Sequence, residues 1–197
     1  MTVSRSLPLL FLLAGCGGGG GGEAAVDPQP VRTEVVERLE SRIAREPVSD
    51  PAVLPNQGRA FYEGFMRATL PTGPNGERIG YIGDMEMNVN FGAARDEIAG
   101  QADGFQTGDG DRLAGRLDIA GGDIFRDTEV RENYTFTGDV DGDLRRGDDT
   151  YRIDAGIEGE FKGADQTAVS GLLFGDVTGP LGQDVFDGSF AGEKQRE

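Results

Sequence analysis

From Arg59 onward, apolar side chains recur at every second position, and this period constrains the chain more than any other feature. A strand sends successive side chains to opposite faces, so alternation marks strands buried on one side only. Ile79, Tyr81, Met85, Met87, Val89 and Phe91 alternate with Ile82, Asp84, Glu86, Asn88 and Asn90. Val130, Tyr134, Phe136 and Val140 alternate with Arg131, Asn133, Thr135 and Asp139. Tyr151, Ile153, Ala155, Ile157 and Phe161 alternate with Arg152, Asp154, Glu158, Glu160 and Lys162. Breaks rich in Gly, Asp, Asn and Pro fall at residues 71–76, 108–111, 141–143, 146–149 and 179–182. These residue types are the natural turn formers. The spacing predicts eight strands, near 60–70, 79–91, 94–105, 112–119, 129–140, 150–162, 167–177 and 184–193.

Eight consecutive hairpin-linked strands suggest an all-β fold, an eight-stranded antiparallel up-and-down β-barrel, because closure removes the exposed edges. A sandwich of two sheets is the alternative. The interior of such a barrel is only wide enough for side chains. Gly83, Gly115, Gly138, Gly159, Gly171, Gly175, Gly188 and Gly192 fall on the apolar face of their strands, where a narrow cylinder needs small residues. A membrane-spanning barrel would turn its apolar face outward. Aromatics at 8% are too few for two interfacial girdles, and the chain closes on the charged run Glu193-Lys194-Gln195-Arg196-Glu197. The barrel domain is assigned to 59–193.

Ahead of it, Val31, Val35, Leu39 and Ile43 recur every fourth residue, with Val36 beside them. That is one apolar stripe on a short amphipathic helix, assigned to 31–46. Glu34 and Arg38 are spaced to pair across a turn, and Pro47 and Pro51 stop the helix. The helix is expected to pack on the domain, with a stalk or partner-binding role as the alternative.

The first residues read as an export signal. Arg5 supplies positive charge, residues 7–13 an apolar core, and Ala14 and Gly15 small residues at a cleavage site. The apolar run is far shorter than the ~20 residues of a membrane-spanning helix. Leu13-Ala14-Gly15-Cys16 resembles the bacterial lipobox, which implies a signal peptide over 1–15 and acylation of Cys16. Cys16 is the single cysteine of the chain, so it has no partner for an internal disulfide. Gly17–Gly22 then read as a flexible tether within 16–30. Several acyl chains hold a protein stably where one does not.

The chain carries a formal charge of −16. No basic patch offers the footprint of a nucleic-acid binder. Histidine is absent, which removes the commonest general base and the usual zinc ligand. Asp139, Asp141 and Asp143 begin like a calcium loop, but Leu144 and Thr150 stand where an EF-hand needs glycine and glutamate, so a hairpin turn is the better reading. Tyr62, Tyr81, Tyr134 and Tyr151, with Met85 and Met87, are the residue types that ligate haem iron, yet five of these six take core-facing positions. Paired carboxylates for hydrolysis are not marked out among the chain's 35 acids. The composition therefore points away from an enzyme and implies no cofactor or resident metal.

One pattern goes further. Gly159-x-Phe161-x-Gly163 recurs as Gly188-x-Phe190-x-Gly192, with Val169 and Gly171 between them. This resembles the C-terminal signature of the transferrin-binding-protein-B-like β-barrel of Gram-negative surface lipoproteins, F-Y-G-P-x-A-x-E-V-G-G-x-F. Phe161, Gly163, Val169 and Gly171 hold in register, while Lys162, Ala164, Ala168, Ser170 and Leu173 depart from it. The resemblance implies an outer-membrane lipoprotein, at the cell surface or periplasmic face, that binds a protein or a small ligand such as haem beside an iron- or haem-uptake receptor. A structural envelope lipoprotein with no soluble ligand is the alternative. The shared residues are structural marks, so no ligand contacts transfer with them.

Overall fold

A computed structural model of the chain describes residues 28–92, 97–126 and 134–196. Eight strands follow one another, each paired antiparallel with the next and the last with the first, so the sheet closes into a barrel. They are β1 (Arg59–Pro71), β2 (Arg78–Asn90), β3 (Ile98–Gln106), β4 (Ala114–Gly122), β5 (Phe136–Arg146), β6 (Asp149–Lys162), β7 (Ala168–Gly179) and β8 (Gly182–Lys194). The closing seam runs from Tyr62 opposite Lys194 to Thr69 opposite Asp187. The expected up-and-down barrel is the fold, and the sandwich is not. Among the described residues, one helix, α1 (Pro28–Ile43), and a single 3-10 turn, Pro51–Val53, precede the strands.

The inward positions fill the cylinder with side chains. Tyr62, Met66, Tyr81, Met85, Met87, Phe105, Phe136, Phe161 and Phe186 are all buried. Phe161 sits at the centre of an aromatic cluster, its ring centroid 5.0 Å from Phe136, 5.4 Å from Phe91 and 6.4 Å from Tyr62. Tilted rings at these separations are a favourable arrangement. The glycines make this packing possible. One row across the wall reads Phe136, Gly159, Gly171, Phe190, Met66 on five successive neighbouring strands. A Cβ on Gly159 would lie against the Phe136 ring, 2.6 Å from its Cε2 and closer still to its Cζ, and 2.7 Å from Phe190 Cζ. A Cβ on Gly171 would lie 2.5 Å from the Phe190 ring. Two rings fit in this row because two side chains are missing from it.

The segment joining α1 to β1 closes the end of the barrel where β6 meets β7. The Ser49 amide donates to the Phe161 carbonyl at 2.8 Å, and the Gly163 amide donates to the Pro47 carbonyl at 2.8 Å. Leu54 belongs to the main core. The Tyr62 hydroxyl donates to the Gln166 carbonyl at 2.8 Å. Arg126 fastens the same end, donating from Nη2 to the carbonyls of Phe91 at 2.8 Å and Pro55 at 3.2 Å.

Several expectations change. The fifth strand begins at Phe136 and ends at Arg146, rather than spanning 129–140. Val130, Arg131 and Asn133 lie outside the described residues, as does the expected start of the third strand at 94. Residues 141–143 are not a turn, and so not the turn proposed in place of a calcium loop. They cross the middle of β5, because Val140 and Leu144 are both fully buried and the alternation runs through them. Gly142 is needed for close approach to β4, since a Cβ there would lie 3.1 Å from the Leu117 Cα. Tyr134 precedes β5 and is half-buried, its ring edge-on to Phe125 at 5.8 Å, so it is not a core residue. Gly115 is exposed at the start of β4, with φ at 99°.

The helix also differs. It runs from Pro28 to Ile43; the Val31 side chain lies outside the described residues, and among those described the buried ones are Val36, Leu39 and Ile43, not a stripe through Val35. Val35 is 39% exposed. Arg38 Nε donates to the backbone carbonyl of Glu34 at 3.1 Å instead of pairing with its carboxylate.

Candidate binding surface

The outer wall of the barrel carries the features that an interior packed with side chains does not. It has three parts, set by the parity of each strand.

The first is the seat of α1. Leu39 and Ile43 pack with Ala168 of β7, Ala191 of β8 and Phe65 of β1 in a small cluster of their own. Arg67 grips Glu40 with two hydrogen bonds, at 2.6 Å and 2.9 Å. Arg42 pairs with Glu193 at 2.6 Å, and Arg32 with Asp84 at 3.0 Å. The Arg32 guanidinium stands 5.7 Å over the Phe65 ring. The helix therefore lies along the wall, not across an end. It leaves a cleft on each side. One, of about 900 Å³, is bounded by Val35, Leu39, Phe65 and Met85 together with Arg38, Glu63 and Glu86. The other, of about 560 Å³, is bounded by Ile43, Ala44, Leu172 and Ala191 with Glu40, Glu158 and Glu160.

The second part is apolar and begins at that second cleft. Leu172 and Phe174 of β7 and Val185 of β8 point outward, 61%, 49% and 58% exposed. Phe174 leans over Gly156 of β6, where a Cβ would lie 3.7 Å from its ring. Leu181 in the β7–β8 turn extends the strip.

The third part is acidic. Asp118, Asp141, Asp154 and Asp176 stand directly opposite one another on β4, β5, β6 and β7. Asp118 pairs with Arg116 at 3.0 Å. Asp141, Asp154 and Asp176 are exposed and have no ion-pair partner among the described residues. An outer wall with this row is opposite in sense to a lipid-facing band.

The residues of the G-x-F-x-G pattern come together, but on the inside. Phe161 stands opposite Val169, and Val169 opposite Gly192. Gly188 faces Leu173, and Gly163 turns the chain between β6 and β7 with φ at 79°. Their role is packing. Cys16 lies outside the described residues. Among the described residues, no group of three or more Asp, Glu, His or Cys side chains is placed to hold a metal. Tyr81, Met85 and Met87 are core residues. The outward strip was missed in the sequence because Leu172-Leu173-Phe174 reads as one apolar run. The signal lay in Gly171 and Gly175, which share the inward parity of Leu173 and so turn Leu172 and Phe174 out.

Fold and surface together define a closed up-and-down β-barrel with a filled interior and a helix strapped to its wall. The chain is similar in structure to transferrin-binding protein B. A double mutant of that protein from Haemophilus parasuis Hp5, described as a vaccine antigen, is 15% identical, with a TM-score of 0.46, over 76% of this chain and 28% of that one. The isotype 1 protein from serogroup B Neisseria meningitidis is 17% identical, with a TM-score of 0.43, over 77% of this chain and 27% of that one. The chain spans less than a third of the length of these proteins. No family model and no curated protein matches it in sequence.

Proposed function

We propose that this chain is a lipid-anchored binding protein of the outer membrane, held by Cys16, that recognises a protein partner on the outer wall of its barrel. The observation that carries the binding role is the pairing of a filled interior with Leu172, Phe174 and Val185 left open to water. A barrel with no vacant core must recognise its partner outside, and a strip of large exposed apolar side chains marks an interaction site. Haem held by Tyr81, Met85 or Met87 would require the core to open, which favours a protein over a small ligand. Work beside an iron- or haem-uptake receptor follows from the signature around Phe161. The anchor rests on Leu13-Ala14-Gly15-Cys16 and the glycines that follow.

The anchoring is tested by fractionation. Cys16→Ser is expected to move the protein from the membrane to the soluble fraction, and mass spectrometry of the native protein to find Cys16 acylated. A membrane-bound Cys16→Ser protein would refute the anchor. Protease treatment of whole cells reports the face: digestion without lysis is expected of a capture protein at the surface.

A further inference from the structure

We propose that the outer face of β6, β7 and β8 docks a basic polypeptide segment that presents apolar side chains between lysines and arginines. This rests on the reading of the chain as a protein-binding molecule, and adds where the partner sits and what chemistry it carries.

Two features meet on this face. Leu172, Phe174 and Val185 expose large apolar surface, and no described residue covers them. Beside them runs a row that the fold itself gains nothing from. Carboxylates placed directly opposite on neighbouring strands weaken a sheet. Asp141 faces Asp154, and Asp154 faces Asp176. The next position in the same row, on β8, is Val185. With strands about 4.8 Å apart, a segment laid across the wall meets aspartate, aspartate and then valine within one short stretch. Lysine or arginine over the aspartates would relieve their repulsion, while an apolar neighbour covers Phe174 and Val185. A second copy would set aspartate against aspartate, with −16 on each chain. An anionic bilayer would be repelled in the same way.

The test uses the full chain and three labelled synthetic peptides, alternating lysine with leucine, lysine with serine, and glutamate with leucine. The lysine–leucine peptide is expected to bind at least about tenfold more tightly than either other, as for a site that needs both an apolar anchor and opposite charge. Leu172→Ser with Phe174→Ser is expected to remove about tenfold of that affinity. Asp154→Asn with Asp176→Asn is expected to flatten its dependence on salt. All four side chains point outward, so unchanged melting is the control for folding, and Val185→Thr serves if the first pair does not fold. Undiminished binding by both apolar variants overturns the surface, while leaving a binding role elsewhere on the molecule standing. Absence of any preference for the lysine–leucine peptide overturns the proposal as well. So does a concentration-dependent dimer, or adhesion to anionic vesicles, that the Leu172→Ser, Phe174→Ser variant abolishes.

Discussion

At the scale of single residues, the barrel depends on atoms that are missing. Gly159 and Gly171 occupy the space between Phe136 and Phe190, and neither ring can withdraw from a filled interior. Gly159→Ala is therefore expected to cost about 1–3 kcal/mol by overpacking, read as a fall in the denaturation midpoint. Gly80→Ala is the matched control, since its Cβ would meet nothing within 4 Å. Tyr62 makes a second prediction. Burial pushes its phenol above the ordinary value of 10.0. The folded protein thus holds the phenolic proton more tightly than the unfolded chain. The stability linked to it is complete below pH 10 and is lost as pH rises beyond 10 toward the higher folded value. Denaturant midpoints measured from pH 8 to 11.5 are expected to fall above about pH 10. Tyr62→Phe is expected to lessen that fall, while forfeiting the bond to the Gln166 carbonyl.

At the scale of elements, α1 is the separable part. Its apolar cluster is small and distinct from the main core, and the ion pairs of Arg42 and Glu40 that help hold it join partly exposed groups. Pairs of that kind contribute little. Ile43 is fully buried in the small cluster, so Ile43→Ala is expected to cost about 2–4 kcal/mol of helix docking. Hydrogen exchange should then show α1 opening well before the strands. How legible each element is in the sequence follows from the strength of its periodic signal. β6 is plain because it buries one face along nearly its whole length, and β2 because it does so from Gly83 to Val89. β5 is displaced because an Asp-Gly-Asp run suits both a turn and a place where two backbones approach closely. Only the burial of Val140 and Leu144 on either side decides between them. The helix stripe is misplaced by one residue because repeated steps of four drift off one face of a 3.6-residue period, whereas the steps of three and four through Val36, Leu39 and Ile43 stay on it. The acidic row could not be read at all. It exists only through the register that sets Asp118, Asp141, Asp154 and Asp176 opposite one another, and no single strand's alternation reveals that register.

At the scale of the whole molecule, closure makes the strands interdependent. β8 pairs with β7 on one side and β1 on the other, and it supplies Phe186 and Phe190 to the core. A chain ended after Pro180 would lose both rings and leave β1 and β7 with open edges. It is expected to show no cooperative thermal transition and to aggregate, as followed by circular dichroism and light scattering. The path from α1 into the barrel has one further consequence. A pull applied at Pro28 reaches the ion pairs and small cluster of the helix first. It then reaches the Ser49–Phe161 and Gly163–Pro47 hydrogen bonds, and last the seam between β1 and β8. The molecule thus has a fuse in series with its body: a load entering at Pro28 peels the strap away first, while the barrel behind it keeps its shape.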